Sequence, residues 1–461
     1  MTVNSLRSWV TMLLYLWGIN AWAKPAEVSV YRYHAQAPED TDYEVWVDGQ
    51  KLFVYDMPIA GMASFGATEQ VIVRIKPKLA FEQVVIRPTS LGIVPEIEKG
   101  EVRFSIPADT KVSVEFDNRI YNPLYVFSQT PVQHQEADLV FEAGKHYRIG
   151  KKRVKSGQRV WIQAGSVVEG FFVIEDVENT HIFGHGIIDN RHLSREEGYY
   201  GFGWINARHS TFEHVHLIGN PRWSTAYFGC DSLTVNDVRI IGWRPSDDGV
   251  DLVGSTNMVM SNAFIRTKDD CIAIKASTYL PIKPAPDNVP FRTDKMVGCK
   301  QVKNIRIEQC ILWNADWGNA IEIGFETRAD VMEDIRVENC DIIHVEGNGG
   351  AFSIHNGDRA TVRNIYYKDI RIEGAKGFLC HFQILHSHYS KDSERGRGEN
   401  IILENISVLD GYHLNSIITG LDTVHQYKNI RFKNLSMQGR KVRSVRDGNI
   451  YTEYAQNISF E

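Results

Sequence analysis

Two rhythms of apolar and polar residues divide the chain. From about residue 27 to 130 they alternate with period two in short runs: "EVSVYRY", "YEVWVDGQKLFVYD", "QVIVRIK", "QVVIRP" and "KVSVEFD". Period two sends one face of a strand to a core and the other to water. Asp48-Gly49 marks a hairpin turn, and turn signals follow every ten or so residues, so residues 24–130 are predicted to form a β-sandwich. Nothing in this part suggests chemistry. Beyond about residue 135 the pattern becomes a repeat. "SLTVNDVRIIG", "KNIRIEQCILW", "EDIRVENCDII", "RNIYYKDIRIEG", "ENIILENISVLD" and "KNIRFKNLSMQG" carry apolar residues at places 1, 3, 6 and 8. The sixth place is filled in turn by Val215, Val238, Ala263, Cys310, Cys340, Ile370, Ile406 and Leu435. One interval is long because a proline-bearing stretch, 277–300, interrupts the repeat. Strand phrases at such spacing, with no amphipathic helix between them, indicate a β-solenoid. The Leu/Asn ladder of leucine-rich repeats is missing, and a propeller needs about 40 residues per blade. The prediction is an all-β protein: an N-terminal β-sandwich followed by a right-handed parallel β-helix over 135–461, its coils stacked at about 4.8 Å.

A second strand phrase can be aligned from coil to coil: "WSTAYFG" (223–229), "DDGVDLV" (247–253), "DDCIAIK" (269–275), "GNAIEIG" (318–324) and "GGAFSIH" (349–355). Val250 and Leu252 match Ile272 and Ile274, Ile321 and Ile323, then Phe352 and Ile354, which should face the core. One column then runs Ser224, Asp248, Asp270, Asn319, Gly350. A second, outward-facing column runs Tyr227, Asp251, Ala273, Glu322, Ser353, with Lys275 and His355 two residues further on. Asp248 and Asp270 should lie one coil apart with Asp269 beside them. Like charges so close raise each other's pKa. Such an array is a solvated acidic ladder, a Ca²⁺ site, or a set of carboxyls with split pKa values, one serving as acid and another as base.

Composition narrows the setting. Hydrophobic residues at 43% and charged residues at 23% are ordinary globular values, and a net charge of −6 with no basic stripe argues against nucleic acid as partner. Arg7, the apolar run from Trp9 to Ile19 and Ala21-Trp22-Ala23 read as a signal peptide (1–23) cleaved before Lys24. The run is short for a membrane span, so the expected product is a soluble, monomeric chain, periplasmic or secreted. The six cysteines, Cys230, Cys271, Cys299, Cys310, Cys340 and Cys380, show no Cys-x-x-Cys spacing and are expected to be mostly buried free thiols.

"SDDGVD" followed by "KDDCIAI" resembles the catalytic signature of family 28 glycoside hydrolases, the polygalacturonases, and equally that of the related family 49 group of dextranases and isopullulanases. "VWIQAGSVVEG" with "HIFGHGIIDN" is similar to their opening coils, while a leading β-sandwich and "EIGFETRADV" are closer to family 49. The resemblance implies an inverting hydrolase in which Asp269 is the general acid and Asp248 and Asp270 position and deprotonate the water. It implies neither cofactor nor metal, and a polysaccharide as partner. At the places where family 28 carries His-Gly and Arg-Ile-Lys, this chain has Gly318-Asn319 and Ser353-Ile354-His355. Without those cations an acidic sugar loses charge-assisted contacts, which favours a neutral glycan. Glu322, His355, Lys275, Asn319 and Asp247 are the further candidates for holding substrate or orienting the triad. Trp223, Trp243 and Trp317 are candidates for stacking on sugar rings, with structural packing the stronger expectation for each. Asn405, Asn434 and Asn457 begin N-x-Ser sequons but sit at repeat positions. Two other classes stay open: a β-helix polysaccharide lyase whose aspartates hold Ca²⁺ beside Arg266, Lys268 or Lys275, and a glycan-binding solenoid without activity.

Overall fold

The computed structural model describes residues 27–197, 200–279, 296–297, 299, 301–410 and 415–461. The signal peptide and most of the 277–300 insertion lie outside the described residues. The chain is built of strands, as its alternation requires. A six-stranded and a five-stranded sheet span Val28–Gln129, and every described strand beyond them, apart from one two-stranded ribbon, joins a single 31-stranded sheet running from Leu139–Phe141 to Ala455–Phe460. Along most of that sheet each strand pairs in parallel with the strand three further on, so a coil has three strands and the fold is the right-handed parallel β-helix expected. The apolar places of the repeat form one continuous core, including Val215, Val238, Ala263, Cys310, Cys340, Ile370, Ile406 and Leu435. None of the six cysteines is disulfide-bonded, and only Cys299 is not fully buried.

The polar residue before the first apolar place has its own task. Asn304, Asp334, Asn364, Asn400, Asn429 and Asn457 all take φ between 56° and 59°, a left-handed turn that Asn and Asp tolerate best. Their side chains stack into a ladder: Asn429 Nδ2 donates to Asn400 Oδ1 (3.0 Å) and Asn457 Nδ2 to Asn429 Oδ1 (3.1 Å). Asn405 and Asn434 form a second ladder, Asn434 Nδ2 donating to Asn405 Oδ1 at 3.0 Å. The three sequon asparagines are thus each engaged in a ladder across coils, Asn457 in the first and Asn405 and Asn434 in the second.

The sandwich uses both faces of its larger sheet. In Leu124–Gln129, Leu124 and Val126 enter the sandwich core while Tyr125 and Phe127 pack against Phe264 and Trp313 of the solenoid. Charge is buried along the same seam. Glu115 lies between Arg87 (3.1 Å) and His344 (3.0 Å), and Arg87 also reaches Glu373 (2.6 Å). Burial pushes the Glu115 carboxyl up, but His344 and Arg87 outweigh it and hold it below the usual range. A depressed carboxyl contributes stability above its unfolded pKa and loses it as pH falls through the folded value. Glu115→Gln is therefore expected to destabilise the chain by about 3 kcal/mol at pH 7, because Arg87 and His344 lose the carboxylate they share. Urea unfolding at pH 7 and again below about pH 4 checks this: the gap to wild type should close at the lower pH.

Candidate active site

The register of the coils assembles the site. Val250 pairs with Ile272, Ile272 with Ile321 and Ile321 with Phe352, so Asp248, Asp270 and Asn319 follow one another on successive coils, as the alignment predicts. The first coil differs. Thr225 pairs with Val250 and Tyr227 with Leu252, one residue away from the expected match. A one-residue slip exchanges the faces of a strand, so Tyr227 is buried in the core beside Trp204 (6.0 Å between ring centroids) and Ala226 stands next to Asp251. Trp223, not Ser224, is then the neighbour of Asp248.

Asp248, Asp269 and Asp270 open onto one groove of about 900 Å³. Their environments differ. Asp248 is buried and paired with Lys275 (3.2 Å); burial raises it to about 6, Lys275 pulls it down and Asp269 pushes it up. Asp270 accepts from the backbone N–H (2.7 Å) and Nδ2 (3.0 Å) of Asn319, while burial and the charges of Asp269, Asp248 and Glu322 raise it well above the usual range. Asp269, half-buried, accepts the Asp270 amide at Oδ1 (3.1 Å) and is raised chiefly by burial. Gly318, at φ 64°, lets the next coil come close: a Cβ there would lie 2.4 Å from the Asp270 nitrogen and 2.5 Å from Asp269 Oδ1.

Several candidates occupy places different from those expected. Glu322 and His355 are buried and do not reach the groove. Glu322 Oε2 accepts from Asn319 Nδ2 (2.9 Å) and meets His355 Nδ1 (2.8 Å), and His355 stacks behind Phe325 at 4.3 Å. Strand parity does point Glu322 outward, but the coil's outer wall covers it. Asp247 is likewise sealed off; it accepts the amides of Arg244 (2.6 Å), Lys268 (2.7 Å) and Asp269 (3.3 Å), and so shapes the turn that carries Asp269. Lys275 does line the groove, yet its ammonium is engaged by Asp248 and Asp251 and lies 3.8 Å from the Trp223 ring centroid. Burial works against that charge, but Asp251 and Asp248 outweigh it and keep the ammonium protonated. Trp243 packs at the seam with the sandwich. Trp317, 62% exposed, stands on the groove.

Other residues on the groove lie outside the aligned columns. Phe325, Glu326, Arg328, Tyr389 and Lys391 also line the groove. Ile274 pairs with Ile323 but Ala276 with Thr327, so the later strand carries extra residues that bulge outward. "GFE" in "EIGFETRADV" was the visible signal, since it breaks the apolar alternation. Tyr389 and Lys391 sit on a connection anchored by Asp358, whose Oδ1 accepts the amides of Lys391 (2.7 Å) and Asp392 (2.8 Å).

A second cluster gathers side chains of metal-ligating type. His185, His214 and Asp237 bring potential ligand atoms within 4.8 Å of one another. Both His185 nitrogens are already engaged, by Gln129 (3.0 Å) and the Thr130 carbonyl (2.9 Å). Asp237 is paired with Lys111 (2.6 Å) and Arg239 (2.8 Å). These two cations oppose a metal ion, and the cluster acts as a polar staple between sandwich and solenoid.

Residues 202–407, just under half the chain, match the family model described as glycosyl hydrolases family 28. An endopolygalacturonase of Emericella nidulans is 31% identical over 77 residues, 15% of this chain and 20% of its own. A probable polygalacturonase of Arabidopsis thaliana is 23% identical over 209 residues, 36% of this chain and 47% of its own. The chain thus spans about a fifth to a half of the curated relatives it matches. Among solved structures, Dex49A from Penicillium minioluteum superposes with TM-score 0.60 at 13% identity, covering 93% of this chain and 96% of that one. A family 28 exopolygalacturonase of Yersinia enterocolitica gives 0.51 at 12%, covering 94% and 98%. The resemblance read from the two aspartate pairs lies inside the matched stretch, and the shared fold covers 93–94% of this chain.

Proposed function

We propose that this protein is a glycoside hydrolase that cuts a polysaccharide or oligosaccharide with inversion. The observation that carries this is three carboxyls opening onto one groove in three environments. Asp269, raised by burial, has no cation paired to it among the described residues, Asp248 is held by Lys275, and Asp270 by the amide of Asn319. Such a split supplies an acid and a base together. Asp269 gives its proton to the glycosidic oxygen as the bond to the anomeric carbon breaks. Asp248 and Asp270 receive a proton from a water whose oxygen bonds to that carbon from the opposite side. A single displacement inverts the configuration, and an acid–base separation of roughly 6.5–9.5 Å leaves room for the water.

The lyase reading needs a metal ion among these aspartates. Lys275 already occupies the cationic position between Asp248 and Asp251, which favours hydrolysis. For the substrate we favour an α-linked neutral glycan, since Asn319 and Ser353 stand where a cationic grip is absent. Uronic-acid polymers are the second reading, and a specific observation favours it: Arg328 and Lys391 bring positive charge to the groove from loops, and the curated relatives named above are polygalacturonases. We further propose that the chain is exported, on the strength of the apolar run from Trp9 to Ile19; no helix among the described residues is long and apolar enough to cross a membrane.

Trp317→Ala should raise KM about three- to tenfold with kcat nearly unchanged, because an exposed ring contributes stacking of roughly 0.5–1.5 kcal/mol to binding; steady-state kinetics on the best substrate checks it. The experiment for the reading itself is release of reducing ends from a panel of neutral α-glucans and polygalacturonate, with and without chelator, the anomer of fresh product being read by NMR. Inverted, chelator-insensitive product supports it. An unsaturated product that chelator suppresses overturns it in favour of a lyase, and binding without release overturns it in favour of a glycan-binding solenoid.

A further inference from the structure

Behind the groove a line of buried polar groups runs across four coils and ends on Asp270. Asn319 donates twice to Asp270 Oδ1, from its backbone N–H (2.7 Å) and from Nδ2 (3.0 Å). The other hydrogen of that amide goes to Glu322 Oε2 (2.9 Å). On its far side the Asn319 oxygen accepts from the Gly350 amide (2.8 Å) and Ser353 Oγ (2.7 Å). Glu322 is in turn met by His355 Nδ1 (2.8 Å), and His355 Nε2 lies 3.2 Å from His381 Nδ1. Two donors on its oxygen and two carboxylates on its nitrogen leave the Asn319 amide one orientation. A charged group with 0% exposure costs free energy unless paired, so a carboxylate placed here, out of reach of substrate, calls for a role.

We propose that Glu322 is a positioning residue: it fixes the Asn319 amide with its N–H toward Asp270, and it sets its carboxylate behind the groove carboxyls. This rests on the hydrolase reading above. As an acceptor only, Glu322 cannot meet the oxygen of Asn319, so it forbids the flipped amide that would turn an oxygen toward Asp270. Its charge also acts through space, raising both Asp269 and Asp270.

The groups around Glu322 are few. Among the described residues, Asp269 and Asp270 face it from the coil before, and His355 and His381 from the coils after. Tyr367 and Tyr427 lie beneath it in the core, both raised by burial beyond any working pH. Burial and His355 hold His381 down to about 4, so it adds no charge across the range in which the carboxyls titrate.

The test is the pH profile of kcat for Glu322→Gln, Glu322→Asp and Ser353→Ala, measured on whichever glycan the wild type cleaves. Glu322→Gln should lower kcat about ten- to hundredfold at near-constant KM, since small misplacement of a reacting group costs that much. It should also move both limbs of the profile to lower pH by roughly one unit, because removing a negative charge eases ionisation of Asp269 and Asp270 alike. Glu322→Asp keeps the charge but shortens the reach, so kcat should fall while the limbs return to wild-type positions. Ser353→Ala leaves every carboxylate in place and loosens only the amide; it should lower kcat several-fold with limbs unmoved. Wild-type kcat in either Glu322→Gln or Ser353→Ala overturns the proposal, and so does a Glu322→Gln profile whose limbs stay put. Should Glu322→Gln fail to fold, Ser353→Ala decides. If the wild type releases no reducing ends, or retains configuration, the hydrolase reading falls first and takes this one with it; normal wild-type inversion with unshifted variants removes only the role of Glu322.

Discussion

Asp269→Asn is expected to lower kcat about 10²- to 10⁴-fold, the usual contribution of a positioned general acid, with binding and thermal stability close to wild type. Asp269 sits half-buried on the groove, accepts only the Asp270 amide within the side-chain network, and is pushed up by burial so that it holds its proton to higher pH than a free aspartate. Asparagine keeps the size and can still accept that amide, but has no proton to give. The loss should appear in kcat and kcat/KM together, the signature of an interaction made only in the transition state. Single-turnover kinetics beside equilibrium binding of the same oligosaccharide checks both halves. Unchanged turnover would remove Asp269 from the mechanism.

Lys275→Met is expected to cost about 3–5 kcal/mol of stability and most of the activity. Its ammonium is shared by Asp248 and Asp251, which are 4% and 0% exposed. Removing one partner of a buried pair leaves uncompensated charge; here two carboxylates lose the same cation. Methionine fills the aliphatic volume against Trp223, so the effect reports charge and not a cavity. The pH dependence has a definite sign. Lys275 pulls the Asp248 carboxyl down against burial, to about 6. Without it, Asp248 ionises only at higher pH, so the acid limb of the activity profile should move upward, opposite to the shift expected for Glu322→Gln. Chemical denaturation and a pH–rate series on the surviving fraction measure the two effects separately.

The groove also shows how far strand parity carries an argument. Parity placed Glu322 on the outward face, and the residue does leave the solenoid core. From sequence it is a candidate substrate contact, because sequence records direction along a strand but not what stands beyond it. Phe325 and the following coils cover that position, so a residue pointing outward ends up buried at 0% exposure. Tyr227 failed for the opposite reason. An ungapped alignment cannot sense that burying the Tyr227 ring beside Trp204 outweighs agreement of neighbouring phrases, and the strand shifts by one residue. Arg328, Tyr389 and Lys391 arrive from a bulge and a long connection, where no periodicity assigns a partner, and they reopen the uronate reading that the missing Arg-Ile-Lys motif had disfavoured.

What the sequence determined by itself was whatever repeats. Period two gave the sandwich strands, the places 1, 3, 6 and 8 gave the coils, and their stacking brought Asp248 and Asp270 onto neighbouring coils with Asp269 alongside. A parallel β-helix converts a distance of about twenty residues along the chain into one strand spacing, so register alone fixes such neighbours. Tertiary structure alone decided the rest: that Lys275 is held by Asp248 and Asp251, that Asn319 joins Asp270 to Glu322, and that Tyr125, Phe127 and Glu115 fasten the sandwich to the solenoid. These contacts depend on where side chains end and on what covers them. Those are properties of packing in three dimensions, and no period along the chain encodes them.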